Sequence, residues 1–114
     1  MNKISKKFII ATGILIAGSI ISIWVFWQNI LLLTVILAGL AVMELLVIGS
    51  KKLLLAYFLI LLGGVTTEIV AIYLGAWQYT KSSFLGIPLW LLPAWGNAGI
   101  ISICIYKFLD KIKQ

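Results

Sequence analysis

Hydrophobic residues run along this chain in four long segments separated by short polar stretches. The segment 8–27 contains no charged residue, and the segments 30–48 and 53–74 each contain a single glutamate. A helix needs about 20 apolar residues to cross the hydrocarbon core of a bilayer, so each of these segments is long enough. The pattern predicts an all-α integral membrane protein that folds as a single transmembrane domain over residues 1–114.

The fourth segment is less regular because it contains both prolines. Residues 84–92 are apolar but include Gly86 and Pro88, and Pro93 then suits the first turn of a helix, where its missing N–H needs no partner. A helix over 93–109 is about 25 Å long, slightly short for a span. We therefore expect 84–92 to be an interfacial or re-entrant segment before the fourth helix of a transmembrane four-helix bundle.

The composition and the lysines support this architecture and orient it. Charged residues make up 11% of the chain, against about a quarter in soluble domains. Lysines near the predicted cytoplasmic ends are Lys3, Lys6, Lys7, Lys51, Lys52, Lys107, Lys111 and Lys113, whereas Lys81 lies on the other side. The positive-inside rule then predicts that both termini are cytoplasmic. We expect the membrane to be the inner membrane of a bacterium or archaeon.

The lysine-rich start followed by an apolar run also has the form of a secretory signal peptide, with 17–19 as its cleavage site. The apolar run continues well beyond that site, and keeping it preserves the even number of spans that the later lysines require. We favour an uncleaved first helix. A mature N-terminus at Ile20 would indicate the alternative.

The chain is poor in reactive side chains. It contains no histidine and no arginine, and Cys104 is its single cysteine. This removes the commonest metal ligand and the side chain that binds phosphate through two parallel hydrogen bonds. The sequence predicts no metal and no cofactor, and it leaves open whether the protein is an enzyme.

Two glutamates lie within predicted spans, at different depths. Glu44 is about 6 Å from the cytoplasmic end of its helix, so its side chain is expected to extend to that interface and meet Lys51 or Lys52, with a functional role as the alternative. Glu68 lies about 16 Å away in depth, too far for a catalytic pair. An ionisable group at its depth normally faces protein or water, so Glu68 is either a structural hydrogen-bonding group or a functional one.

All five tryptophans fall at the predicted outer ends of the spans. An anchoring belt usually has aromatic residues at both interfaces, so the asymmetry predicts an aromatic pocket or groove that opens toward the outer leaflet, with Glu68 and Asn97 as its polar floor. The alternative is an ordinary belt together with a hydrogen bond from Glu68 to Asn97. The candidate ligand-binding residues are Tyr73, Trp77, Tyr79, Trp90, Trp95 and Asn97.

Small residues recur at helical spacing and predict close helix packing, either within one chain or between copies. They are Gly64, Ala71 and Gly75 on the face of Glu68, and Ala94, Ala98 and Ser102 on the fourth helix.

One stretch of about 30 residues resembles known families. It has an acidic residue, then G-x-W-x-Y, then G-I-P-L-W-L and a further tryptophan, present here as Glu68, 75–79, 86–91 and Trp95. This pattern resembles segments of uncharacterised bacterial inner-membrane families of the DUF2878 kind, and it is faintly similar to the membrane carotenoid hydratase and heterodimeric lycopene cyclase families. Those cyclases carry paired glutamates after the proline. In this chain the residues at that position, 94–97, include no acidic residue. The resemblance implies a polyisoprenoid or similarly long lipid as ligand, with Glu68 as the candidate catalytic proton donor.

The sequence therefore predicts a small multi-pass membrane protein whose outward-facing aromatic pocket binds a lipid, isoprenoid or other amphiphile around Glu68. Two alternatives stay open. One is a small homo-oligomeric, proton-coupled transporter built on Glu68, and the other is an accessory or assembly subunit of a larger membrane complex. The basic residues are divided among short segments with no soluble domain to carry them, which argues against nucleic acid as a partner.

Overall fold

The computed structural model describes residues 5–112, and this part of the chain forms four helices. They are α1 (Lys6–Phe26), α2 (Ile30–Ile48), α3 (Lys51–Tyr73) and α4 (Leu91–Ile112). Each is long and apolar enough to cross a membrane, so the chain is an all-α bundle with the architecture of a multi-pass membrane protein. The helices match the predicted segments to within three residues at each end.

Capping residues explain where the first helices begin and end. The side chains of Ser5 and Asn29 each accept a backbone N–H from the first turn of α1 and α2. Gly49 ends α2 in the left-handed conformation (φ 65), which glycine adopts without strain. With Ser50 it forms the whole connection to α3, so α2 and α3 run in opposite directions.

The fourth helix begins two residues earlier than predicted. The N–H groups of Leu91 and Leu92 donate to carbonyl oxygens three residues before them, at 3.0 and 3.2 Å, so the helical turn is established ahead of Pro93. Pro93 lies in the first turn, as the sequence indicates, where an N–H would have no helical partner. Leu91 and Leu92 thus belong to α4, and residues 74–90 form its connection to α3.

The two ends of the bundle differ in composition. The α1–α2 and α3–α4 connections meet at one end, where Lys81 Nζ donates to the Gln28 carbonyl at 3.3 Å. All five tryptophans lie in this half, which we name the tryptophan end. The opposite, lysine end carries Lys6, Lys7, Lys51, Lys52, Lys107 and Lys111. Lys3 and Lys113 lie outside the described residues. Which end faces the cytoplasm stays a prediction of the lysine pattern.

Helix α4 is the centre of the packing. It contacts all three other helices, whereas α3 packs almost entirely on α4. Glycines allow this close approach: a Cβ on Gly99 would lie 2.6 Å from the Ala56 carbonyl oxygen, and a Cβ on Gly96 would collide with the Tyr57 ring. Because α3 makes little contact with α1, space is left between these two helices at the tryptophan end.

The core shared by α1, α2 and α4 has a polar layer on each side of an apolar one. From the lysine end, the layers are Thr12, Glu44 and Cys104; then Leu15, Ala41 and Ile100; then Ser19, Leu37 and Asn97. On each helix the residues of the two outer layers are seven positions apart, so these layers are separated by about 10 Å. The polar groups join α1, α2 and α4 away from Glu68, which is on α3.

Candidate functional site

Glu68 on α3 accepts hydrogen bonds from three side chains at the tryptophan end. The Trp77 Nε1 and the Tyr79 hydroxyl donate to Oε1, each at 2.9 Å, and the Trp95 Nε1 donates to Oε2 at 3.2 Å. The Glu68 side chain is buried, with 8% of its surface exposed. An indole N–H can only donate, so both Glu68 carboxyl oxygens serve as acceptors in these contacts.

Two of the donors come from the connection that follows α3. Gly75 adopts a left-handed conformation (φ 86) just after the end of the helix, a conformation that side chains rarely allow. The chain then reverses, so that Trp77 and Tyr79 lie beside the last turns of α3 and face Glu68. The sequence spacing of nine and eleven residues is thereby converted into direct contact.

The third donor reaches Glu68 from α4. The ring of Trp95 lies over Gly64, one helical turn from Glu68, and an added Cβ at Gly64 would collide with that ring. Gly64 is therefore the position that admits the indole between the helices. The small-residue face predicted beside Glu68 serves here to seat a large aromatic side chain.

Tyr79 is held in its protonated form by this environment. Burial is the largest cause that raises the pKa of Tyr79 to about 12, followed by its hydrogen bond to Glu68 and the negative charge there. Its ring also packs edge to face against Trp90, with centroids 6.3 Å apart. The hydroxyl thus keeps donating to Glu68 throughout the neutral pH range.

A groove of about 350 Å³ lies beside Glu68 and opens to the side of the bundle between α1 and α3. One face of α4 forms its floor, and α1 contributes Ile23. The lining residues are Ile23, Glu68, Tyr79, Trp90, Leu91, Ala94, Trp95 and Ala98. Apart from the Glu68 carboxylate, no group in this lining carries a charge at neutral pH.

Larger surface grooves lie at the lysine end but contain no comparable arrangement. One of about 410 Å³ is lined by aliphatic residues of α1 and α2 with Lys7, and one of about 530 Å³ is lined by the exposed end of α4. Neither lining includes a buried polar side chain. The groove at Glu68 is therefore the stronger candidate for specific recognition.

Four of the six predicted ligand-binding residues belong to this site: Trp77, Tyr79, Trp90 and Trp95. Tyr73 does not, because its side chain is 87% exposed and lies outside the groove lining.

Asn97 also lies away from the groove. Its Nδ2 donates to Ser19 Oγ at 3.2 Å and to the Leu37 carbonyl at 3.1 Å, so it joins α4 to α1 and α2. It does not form the floor predicted for it, nor the alternative hydrogen bond to Glu68. The physical reason is angular: Asn97 is two residues beyond Trp95, about 200° further around α4.

Glu44 occupies a separate buried position near the lysine end. Its Oε2 accepts hydrogen bonds from Thr12 Oγ1 at 2.6 Å and from Cys104 Sγ at 3.4 Å. Oε1 has no hydrogen-bond partner among the described residues, and the side chain is 0% exposed. The prediction that Glu44 extends to the interface and meets a lysine is wrong, because its face of α2 points toward α1 and α4.

The groove floor on α4 was missed by sequence reasoning, although a signal for it exists. Leu91, Ala94, Trp95 and Ala98 follow the spacing of zero, three, four and seven that places residues on one helix face. Ala94 and Ala98 had been predicted as helix-packing positions. In the structure they line the groove, so their small size makes room beside Trp95.

Comparison of the chain with known protein families, characterised proteins and solved structures finds no match.

Proposed function

We propose that this protein binds a lipid, isoprenoid or other amphiphile in the groove between α1 and α3. The polar end of the ligand lies at Glu68, and its chain follows the floor of α4. The observation that carries the proposal is that a buried carboxylate, held by three donors from two elements, forms the wall of a groove open to the side of the bundle.

The number of donors supports a role beyond helix packing. A single interhelical hydrogen bond already joins α3 to α4 through Trp95, yet Trp77 and Tyr79 add two more from the connection. Together they fix the orientation of the carboxylate before any ligand arrives, which lowers the entropy lost on binding. An ionisable group within a span is costly, and such groups typically face a cavity with a function.

The size of the groove fits the end of an amphiphile. A water molecule occupies about 30 Å³ in the liquid. The groove of about 350 Å³ therefore has room for roughly a dozen ligand groups of that size, each with one non-hydrogen atom. That suffices for a head group and the first part of a chain, and the side opening lets the rest extend into the bilayer. Lipid chains are already in apolar surroundings, so the contact at Glu68 has to supply the selectivity.

The way Glu68 is bonded favours binding over proton transfer. All three partners donate to the carboxylate, and two of them are indoles that cannot accept a proton in return. The proton-donor role implied by the family resemblance stays a prediction, as do the transporter and accessory-subunit alternatives. With the lysine end in the cytoplasm, the groove would open in the outer leaflet of the membrane.

Photolabelling tests this function without assuming a particular charge on the ligand. A decanol that carries a diazirine in its chain is photolysed with the purified protein in maltoside micelles, and labelled peptides are mapped by mass spectrometry. We expect labels on α4 around Ala94 and on α1 around Ile23. Ala98→Phe fills the groove and should abolish them, whereas Ser102→Phe, one turn away on an exposed position, should leave them. Equal labelling of both variants would contradict the proposal.

A further inference from the structure

The negative charge of Glu68 is not balanced by the side chains that hold it. Its three hydrogen-bond partners, Trp77, Tyr79 and Trp95, are all neutral. Lys81 belongs to the same connection as Trp77 and Tyr79, but its Nζ is bonded to a backbone carbonyl of the α1–α2 connection instead. Among the described residues, no basic side chain is therefore placed against the Glu68 carboxylate.

The groove offers little to an anionic head group. The polar hydrogens of Tyr79 and Trp95 are already directed at Glu68, which leaves the Trp90 indole N–H as the remaining donor of the lining. A phosphate or carboxylate placed there would meet one neutral donor beside a like charge. In surroundings of low dielectric constant, that repulsion is stronger than in water.

The carboxylate still has room for a donor from the ligand. Within residues 5–112, Oε1 accepts two hydrogen bonds, but Oε2 accepts only the one from Trp95. A carboxylate oxygen can accept about two, so a free position remains on Oε2. The aromatic rings of Tyr79, Trp90 and Trp95 line the same groove and can stabilise a cation through their faces.

We propose that the head group is a cation, specifically an ammonium at the end of an alkyl or isoprenoid chain. It donates an N–H to Glu68 Oε2 and neutralises the charge that Lys81 leaves uncompensated, while its chain lies along the floor of α4. This inference rests on the proposed function, because it names the class of ligand for the same groove. A neutral alcohol also fits Oε2, but it leaves the charge unbalanced.

Three probes have the same ten-carbon length but head groups of different charge: decylammonium, decanol and decanoate. Together they distinguish a cationic head group from a neutral or an anionic one. Each is titrated into the protein in maltoside micelles, and binding is followed by tryptophan fluorescence. The informative quantity is the affinity of the wild type divided by that of Glu68→Gln, in which partitioning of the probe into micelles cancels. Glu44→Gln is the matched control, because it alters the other buried glutamate, outside the groove.

For decylammonium we expect a ratio of about ten or more, the effect of one charge-assisted hydrogen bond. Decanol should give a ratio within about threefold of one, and decanoate a ratio below one, because Glu68→Gln removes a repulsion. The Glu44→Gln control should give ratios near one for all three. If Glu68→Gln does not fold, Ala98→Lys is compared with Ala98→Met, which fills the groove to a similar extent without a charge. The affinity for decylammonium relative to decanol should then be lower in the lysine variant than in the methionine variant, and equal relative affinities would overturn the cationic head group.

Equal ratios for the three probes would overturn the cationic head group while leaving amphiphile binding intact. A higher ratio for decanol than for decylammonium would do the same. If no probe binds the wild type, both this inference and the proposed function fail.

Discussion

The indole ring of Trp95 lies directly over Gly64, and from that position its N–H reaches Glu68 Oε2 at 3.2 Å. A packing contact between α3 and α4 and the hydrogen bonding of the buried carboxylate therefore depend on the same ring. A change that moves the ring weakens both the helix interface and the proposed binding site.

A substitution at Gly64 should lower the stability of the protein more than the same substitution at its neighbour Gly63. Gly64→Ala places a Cβ against the Trp95 ring, so we expect destabilisation by about 1–3 kcal/mol, as for other overpacked sites. Gly63→Ala adds the same atom where nothing lies within 4 Å and should be neutral or slightly stabilising. Unfolding in micelles measures both. Equal stability of the two variants would show that Trp95 does not lie over Gly64.

Removal of the Trp95 indole N–H should lower the stability of the protein by a measurable amount. Trp95→Phe keeps an aromatic ring but leaves Oε2 without its hydrogen bond, which should cost about 1–3 kcal/mol. Trp24, whose side chain is 79% exposed, makes no such bond, so Trp24→Phe should change stability by less than about 0.5 kcal/mol. The comparison uses chemical unfolding in micelles. A Trp95→Phe variant as stable as Trp24→Phe would contradict the role assigned to the indole N–H.

Tyr79 should ionise late in an alkaline titration. The fold favours its protonated form, so the stability it contributes is present below the ordinary pKa of 10.0 and is lost as the pH rises through about 12. The titration is followed by phenolate absorbance, and comparison with Tyr79→Phe identifies the part of the absorbance change that Tyr79 contributes. In Glu68→Gln the pKa of Tyr79 should fall but stay above its ordinary value, because burial is the largest cause of its elevation. A component at the ordinary pKa in the wild type would contradict the burial of Tyr79.

The buried layer at Glu44 should respond differently to loss of a donor and loss of the acid. Thr12→Val leaves the carboxyl with only the weak Cys104 donor, so we expect a loss of about 1–3 kcal/mol. Glu44→Leu removes the oxygen that has no hydrogen-bond partner in the described part of the chain, and it should be close to neutral or stabilising. Unfolding of both variants checks this. A large loss in Glu44→Leu alone would show that the carboxyl has a favourable partner beyond Thr12 and Cys104.

Much of the fold was predictable because the apolar segments set the helix bounds. The caps at Ser5, Asn29 and Gly49 are findings of the structure and were not predicted. The start of α4 was less clear, since Pro93 marks a first turn but does not show how many residues precede it. The hydrogen bonds of Leu91 and Leu92 to the preceding turn decide that point.

The direction in which a residue faces was harder to predict than its depth. Helix α2 is aliphatic on all sides, so its sequence gives no periodicity to show that Glu44 faces the core. Depth alone placed Asn97 beside Glu68, although its spacing from Trp95 already puts it on another face of α4. Trp77 and Tyr79 were predicted as site residues, but the reversal at Gly75 that brings them to Glu68 is visible only in three dimensions.

The central claim, that Glu68 holds an amphiphile in the groove, is tested most directly by the molecules that stay with the protein. The wild type, Glu68→Gln and Glu44→Gln are extracted gently in parallel, and each is analysed by native mass spectrometry, followed by identification of whatever is released. We predict a bound amphiphile on the wild type and on Glu44→Gln, and its loss from Glu68→Gln. The same bound molecules on all three proteins, or none on any of them, would contradict the account.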